Sequence, residues 1–590
     1  MLHFYDFEVY KKLWTAVFIN PQRREITKIV NDPVRLLDYY NTYNKEIFVG
    51  YNNRHYDQWI FKAILCGFDP KEVNDFIIQK QRKGWEFSDL LMKNYPLNQF
   101  DVFNKTDGGL KTLEAYMGND IRETSIPFDY EGDFTPEMIE EVLSYNTHDV
   151  MQTMEVFKFR KNEFDAQWSL IQTFNLPFSY IGKTQPQLAA EILGAVKTEY
   201  NDEWDIFLPH TLKLSKYQYI ADWFLNEMNA DNMMLQTVIA GVLHVVADGG
   251  THAAEEQYIY TCGPDEVILS ADVDQLYPSI MLHYNLLSRA VHDPEKFKVI
   301  LETSLRLKAE KKNKERAPYK LICNKTYGAM GDKFNKLYDP RNRRLVCIFG
   351  QLLMVDLIEK IEPFCQLIQS NTDGIFIKVK RADVPRIKAI IKEWEDRTML
   401  KMSFDEYKSI YQKDVNNYLT VEYNGEYKCK GAYIKNLGPL DNDLPIVNKA
   451  VKEYMLHGTD PRKIIMECND LMEFQKVVKV SSKYLCGIKN ATFRTYKDYN
   501  SGAWVTVWNR DGERLTDKTF RVFASTRPED LGIHKLKTEE ARNPEKFAIT
   551  PEKCFIWNKS VKGVEVPPYL DKSWYVDLAI KRLQDYGVMS

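Results

Sequence analysis

No long uncharged apolar run, internal repeat or low-complexity tract occurs in this chain of 590 residues. Nothing approaches the roughly 20 apolar residues that cross a bilayer, and the opening MLHFYDFEVY has neither the basic nor the apolar segment of a secretory leader. No membrane and a cytoplasmic location are therefore expected. Cysteine is sparse and unpatterned: nine residues, no CxxC pair and no histidine in zinc-finger spacing, which excludes a disulfide scaffold and a zinc module. A charge excess of one sign is missing too, since the net charge is only -4, and composition alone neither requires nor excludes nucleic acid.

What is present is a folded, aromatic-rich chain, 44% hydrophobic and 13% aromatic, too long for one hydrophobic core. Charge is unevenly spread. Residues 1–150 hold 17 Lys+Arg against 24 Asp+Glu, whereas residues 285–345 hold 16 against 7. The basic segment suits a polyphosphate or nucleic-acid backbone, or a solvated helix face.

Periodicity predicts strands at 2–10, 14–19 and 46–52 and helices at 57–66, 110–117 and 136–160, the last opened by Thr135 as N-cap with Pro136 behind it. Alternating strands and helices make the front of the chain α/β. Residues 185–230 read mostly as helix, VILSADVDQLY (267–277) as a buried strand interrupted by Pro278, and 295–314 and 317–329 as two basic helices separated by KERAP. A helix at 345–362 leads into CQLIQSNTDGIFIKV, a β-hairpin pattern. Further strands are expected at 503–508 and 520–525.

Two constellations carry chemistry. Asp6 and Glu8, two apart in a strand, leave the same face of a sheet. Asp57 closes GYNNRHYD, and Tyr145 precedes Asp149 by four residues, one turn of a helix. Four converging carboxylates repel unless divalent cations neutralise them, the arrangement used for in-line phosphodiester hydrolysis, with Tyr145 placed to orient the attacking water. A solvated strand edge is the bland alternative for D-x-E taken alone.

In the second constellation Asp272 ends an apolar strand. Lys320, Asn324 and Tyr327 or Gly328 form one helical stripe, on which a lysine suits a phosphate, and Asp373 sits in the hairpin turn. Asp-Gly is also expected there on backbone grounds, because Gly374 accepts positive φ.

DFE, N-x-x-x-Y-D (Asn52 to Asp57) and Y-x-x-x-D resemble, in order and rough spacing, the three motifs of DEDD-type 3′–5′ exonucleases. The resemblance implies that Asp6, Glu8 and Asp149 hold the tighter metal, that Asp57 supports the second, and that Asn52 and Tyr56 contact the frayed 3′ end. Lys111, in GGLKTLEAYMG, is similar in place to a lysine some relatives use near the scissile phosphate, and equally reads as an exposed helix lysine. DVDQLYPSI, KLICNKTYG and NTDGIFIK then resemble the three polymerase motifs of family B DNA polymerases.

That likeness implies an RNase H-like exonuclease domain (1–185), then a linker and first part of a palm (186–285), fingers (286–330), the rest of the palm (331–435), and a thumb with C-terminal region (436–590). It implies Asp272 and Asp373 bridging two Mg²⁺ ions, with Mn²⁺ as substitute and the carbonyl of Val273 completing a shell. Tyr277 would act as the sugar gate and Lys320 would contact the triphosphate with Asn324 beside it. Arg306 and Lys308 are candidates for the outer phosphates, or a solubilising face. Tyr327 and Gly328 belong to the second polymerase motif; Gly249 and Gly250 stand where relatives carry a Tyr-x-Gly-Gly linker, and Tyr418 where they carry Lys-x-Tyr against the primer.

The sequence departs from the family at Asn371, Gly374, Gln275, Lys325 and Asn416, sparing both bridging carboxylates. Only 52 residues separate Asp272 from Asn324 and 49 separate Asn324 from Asp373, too few for the insertions of protein-primed relatives. The expectation is a compact, phage-like, monomeric replicative polymerase acting on primer-template and single-stranded DNA and dNTPs, alongside replisome proteins. An exonuclease with an impaired polymerase half, a protein-primed polymerase and a non-catalytic DNA-binding scaffold are the alternatives.

Overall fold

The computed structural model describes residues 1–229, 234–247, 249–481, 484–488, 493–497, 499, 502, 504–508, 514–515, 517–537 and 545–589. Asp248, just before the paired glycines, lies outside them, as does Ala503 at the start of the strand expected over 503–508. The chain is mixed α/β and divides into two units. One comprises Met1–Asp165, Pro177–Gly182 and Asn436–Ala579, the other Ala166–Leu176, Lys183–Lys435 and Ile580–Ser590. Among the described residues no helix is long and apolar enough to cross a membrane.

In the first unit, strands β1 (Leu2–Val9), β2 (Trp14–Asn20), β3 (Glu25–Val30), β4 (Ile47–Gly50) and β5 (Asn98–Asp101) form one sheet in the order β3-β2-β1-β4-β5. β1 pairs antiparallel with β2 and parallel with β4, which pairs parallel with β5. Strand alternation sorts β1 cleanly. Tyr5 and Phe7 enter an aromatic core with Phe18, Phe48 and Phe61. Phe4, Asp6 and Glu8 leave the opposite face, where Phe4 meets Phe157 of the helix Pro136–Phe159. That helix starts as the sequence predicts: the Thr135 hydroxyl accepts the Met138 N–H, and Pro136 occupies its first turn.

The later part of this unit mixes helices with short strands. Lys476–Lys479, Thr519–Ala524 and Cys554–Ile556 make a three-stranded sheet. Arg521, wholly buried, fastens it to the front of the chain: its guanidinium donates to the carbonyls of Ala115 and Asn119 at 2.9 Å each, and to those of Trp557 and Lys559.

The second unit is built on a ten-stranded sheet. Its strands are β6 (Met234–Ile239), β7 (Val242–Ala247), β8 (Gly250–Ala254), β9 (Tyr258–Thr261), β10 (Glu266–Val273), β11 (Gln366–Ser370), β12 (Gly374–Lys380), β13 (Met402–Asp414), β14 (Asn417–Glu422) and β15 (Tyr427–Lys430). The order is β15-β14-β13-β10-β12-β11-β8-β7-β6, with β9 on β13. The predicted hairpin is present as β11–β12. The largely buried helix Pro340–Ile361 packs against this sheet, and helices Pro294–Ala309 and Asn313–Met330 pack on each other.

Three local expectations need correction. Within 185–230 the helices are Gln185–Ile192 and Gln218–Leu225 plus a short 3₁₀ turn at Glu227–Asn229, while 193–217 is irregular. The two basic helices break at 310–312, not at KERAP, and Pro318 sits inside the second one. As the sixth residue of that helix it leaves the Lys314 carbonyl without its i→i−4 donor. Likewise Pro278 does not interrupt a strand: β10 ends at Val273, and Pro278 falls in the first turn of the helix Leu276–His283, a position that tolerates proline.

Candidate active sites

The first site lies on the open face of β1. Asp6 and Glu8 come from that strand, Asp57 from the first turn of the helix Asp57–Leu65, and Tyr145 and Asp149 from one face of Pro136–Phe159. Asn146, one residue beyond Tyr145, ties this helix to the strands by donating to the Asp6 carbonyl at 3.4 Å and the Thr15 hydroxyl at 3.2 Å. Asp57 is fixed in turn, its Oδ1 accepting the Phe7 N–H at 3.1 Å. All five side chains line a cleft of about 920 Å³, together with Asn52, Tyr56 and Lys111.

Electrostatics distinguish this cleft. Burial, reinforced by Asp57, Glu8 and Asp149, holds the Asp6 carboxyl far above the usual range, and burial with Asp149 does the same to Glu8. Asp57 is pushed by burial up to about 7 against the Phe7 hydrogen bond, and Asp149 by burial up to about 6 against the pull of Lys111. Burial and the carboxylates of Asp149 and Glu8 also raise the Tyr145 phenol, which stays protonated.

Lys111 is not the exposed helix lysine of the bland reading. Its ammonium bonds Asp149 at 2.5 Å and Glu114 at 3.1 Å and stands 4.6 Å over the Tyr145 ring. Burial works against that charge, but Asp149 and Glu114 outweigh it and keep Lys111 protonated. The wholly buried Glu114, with His148 at 3.4 Å, was absent from the sequence reading; its signal is the i,i+3 spacing from Lys111. Asn52 takes a left-handed backbone (φ 62), its N–H bonded to Asp101, and the Tyr56 hydroxyl is held by Asn74 at 2.8 Å.

The second site forms where β10, β12 and β13 lie side by side. Asp272 stands opposite Gly374 on one side and Ser403 on the other, and the Val273 N–H donates to the Asp373 carbonyl at 2.7 Å. Strand pairing thus brings two residues a hundred positions apart to one cavity of about 380 Å³, lined also by Asn371, Asp405, Tyr418, Lys428 and Lys430. Gly374 has no positive φ; glycine is required instead because a Cβ would fall 2.0 Å from Asp272 Oδ1. Partial burial raises the Asp272 carboxyl, the Ser270 hydroxyl opposes this through a 2.7 Å hydrogen bond, and Asp373 and Asp405 add to the rise. Asp405, paired with Lys428 at 2.8 Å, is a third carboxylate in the cavity that sequence reasoning missed.

A second cavity of about 380 Å³ shares Asp373 and is lined by Gly249, Gln275, Tyr277, Asn324 and Tyr327. The Tyr277 and Tyr327 rings lie 4.2 Å apart, and both hydroxyls reach the buried Cys347 thiol, at 3.2 and 3.3 Å. Gly250 takes φ +146, and a Cβ on it would strike the Thr372 hydroxyl at 2.4 Å. Lys320 and Gly328 are exposed on the same helical stripe as Asn324 without lining the cavity. Arg306 pairs with Glu310 at 2.9 Å on an exposed face, and Lys308 is bonded to Asp274.

No protein-family model matches the chain, and neither does any curated protein. Among solved structures it is similar to the family B DNA polymerase of the hyperthermophilic archaeon Pyrobaculum calidifontis. The match covers 100% of this chain and 78% of that one, at 14% identity and a TM-score of 0.40. At that degree of likeness the residues, not the neighbour, carry the functional reading.

Proposed function

We propose that the chain is a template-directed DNA polymerase, extending a primer 3′ end with dNTPs and carrying a 3′–5′ proofreading exonuclease. The observation that carries the reading is the meeting of Asp272 and Asp373 on a cavity wall continuous with the Tyr277, Asn324 and Tyr327 pocket.

The donor sets fit divalent cations. In the front cleft three buried carboxylates and the half-buried Asp6 face one contacting ammonium, and so many like charges cannot all ionise without further positive charge. Asp6, Glu8, Asp57 and Asp149 would hold Mg²⁺ or Mn²⁺ there, and Asp272 and Asp373 with the Val273 carbonyl would do so in the second unit. Bound Mg²⁺ supplies Lewis-acid activation of the attacking oxygen and neutralises phosphate charge.

The remaining work belongs to the chain's own residues. Tyr145, held protonated beside Lys111, orients water at the scissile phosphodiester, and Asn52 and Tyr56 hold the terminal nucleotides. In the second unit Tyr277, its ring tilted against that of Tyr327, forms a floor for the deoxyribose and discriminates against a 2′-hydroxyl. Lys320, outward on the same stripe as Asn324, meets the triphosphate, with Arg306 and Lys308 as outer contacts. Gly249, Gly250, Gly328 and Tyr418 face the nucleic acid.

This reading assigns 1–185 to an RNase H-like exonuclease domain, 186–285 and 331–435 to the palm, 286–330 to the fingers and 436–590 to the thumb and C-terminal region. The short intervals around Asn324 favour a compact, phage-like enzyme that extends oligonucleotide primers, and we take it to act as a monomer. The test is the full chain with Mg²⁺, dNTPs and a primed template, with no added protein. Extension is expected, with 3′ digestion when dNTPs are withheld; digestion without any extension would sink the polymerase half.

A further inference from the structure

The front cleft draws one wall from more than 300 residues further along the chain. Lys479, Val480, Ser481, Lys518 and Thr519 line it together with the four carboxylates. This wall is fixed within the same unit: Lys479 stands opposite Thr519 in the sheet, and the Val480 N–H donates to the Lys518 carbonyl at 2.8 Å. The buried Arg521 fastens the sheet to Ala115 and Asn119, at the end of the helix that carries Lys111.

Both lysines are exposed. Neighbouring Lys476 is neutralised by Asp443 at 2.6 Å, whereas neither Lys479 nor Lys518 makes an ion pair among the described residues. Lys518 stands 5.8 Å over the ring of Phe128, itself 42% exposed and part of the cleft lining, and it feels the half-buried Glu123 from beyond ion-pair distance. An acidic cleft repels a phosphodiester chain. Two ammonium groups without ion-pair partners among the described residues, beside the partly exposed Phe128 ring that stacks on Tyr10, supply what a single strand needs, positive charge for the backbone and an aromatic edge for a base.

We propose that Lys479 and Lys518 form a phosphate-binding wall of the nuclease cleft, gripping the backbone of a single-stranded nucleic acid whose 3′ end reaches the carboxylates. The inference rests on the nuclease reading above and adds the residues that deliver the strand. It makes part of the region assigned to the thumb and C-terminal segment a part of the digesting site.

The test compares the full chain with its Lys479→Ala, Lys518→Ala and double variants on a single-stranded oligonucleotide across a salt series. Each lost phosphate contact lowers the slope of log affinity against log salt by about 0.7, so the double variant should lose about 1.4. KM for digestion should rise while kcat holds, and the Lys→Arg double variant should restore both. Unchanged slope and KM in a variant that still melts like the parent overturn the proposal. Binding is read separately from digestion, so wild-type protein that binds but never digests removes the nuclease reading and still leaves the lysines to be decided by the slope. Failure of the parent to bind single strands removes both.

Discussion

The two acidic sites solve the same problem in opposite ways. The front cluster is buried, its carboxyls driven up by desolvation and by one another and offset by Lys111. The central pair is open, with Asp272 and Asp373 both exposed and held together by backbone: the register of β10 with β12 and the single bond from Val273 N–H to the Asp373 carbonyl. A buried cluster stores repulsion that a cation relieves, whereas an open pair stores little and depends on placement. The first suits a narrow strand end and the second the bulk of a duplex and a triphosphate.

The largest expected contrast comes from removing the carboxylates. Asp6→Ala with Glu8→Ala should lower digestion by more than about a hundredfold and raise the thermal stability of metal-free protein, because buried repulsion is removed. Asp272→Ala should lower extension as severely and leave melting unchanged. Equal stability effects from the two would erase the distinction between a strained and an unstrained site.

Gly374→Ala attacks placement alone. A Cβ 2.0 Å from Asp272 Oδ1 forces that carboxylate aside, and a displacement of about 1 Å costs about a hundredfold in rate. Extension should fall by that order while digestion, measured on the same preparation, is untouched.

Much of this was legible in the sequence for local reasons. The alternation in DFE sets which face of β1 is acidic, Thr135 and Pro136 start the helix that carries Tyr145 and Asp149, and the NTDG turn marks the hairpin. What was not legible depends on pairing between distant segments. Asp405 reaches the central cavity only because β13 lies beside β10 with Asp405 opposite Ser270, and Lys428 only because β15 pairs with β14. Glycine at 374 reads as a turn residue until the neighbouring strand shows a carboxylate where its side chain would be. Lys479 and Lys518 carry no local signal at all; the sheet built around Arg521 brings them to the cleft.

A gentler contrast comes from pH. Asp57 at about 7 and Asp149 at about 6 bind protons more tightly in the folded protein than in the unfolded chain, where such groups titrate near 4. The stability they contribute is full below about pH 4 and is lost as pH rises to about 7. Metal-free protein should therefore melt lower at pH 8 than at pH 5, and added Mg²⁺ should recover more at pH 8. Asp272 is shifted the same way, yet Asp272→Ala should leave that pH difference nearly unchanged. A profile that is flat between pH 4 and 8 in chelator would contradict the stored repulsion.

The smallest effect is expected at Tyr277. Tyr277→Phe keeps the ring beside Tyr327 and removes the hydroxyl's bonds to Cys347 and to the Gly249 carbonyl; a nucleotide floor loosened by about 1 kcal/mol raises KM for dNTPs about fivefold. Steady-state kinetics with one correct dNTP reads it, and digestion should not change.

The most direct measurement uses one 5′-labelled primer on a template, followed in Mg²⁺ with dNTPs present or withheld, for the parent, Asp272→Ala and the Asp6→Ala, Glu8→Ala double variant. The account predicts that Asp272→Ala shortens the primer and never lengthens it, and that the double variant lengthens it and never shortens it. Loss of both reactions in either variant, with its melting behaviour intact, would contradict two independent acidic centres.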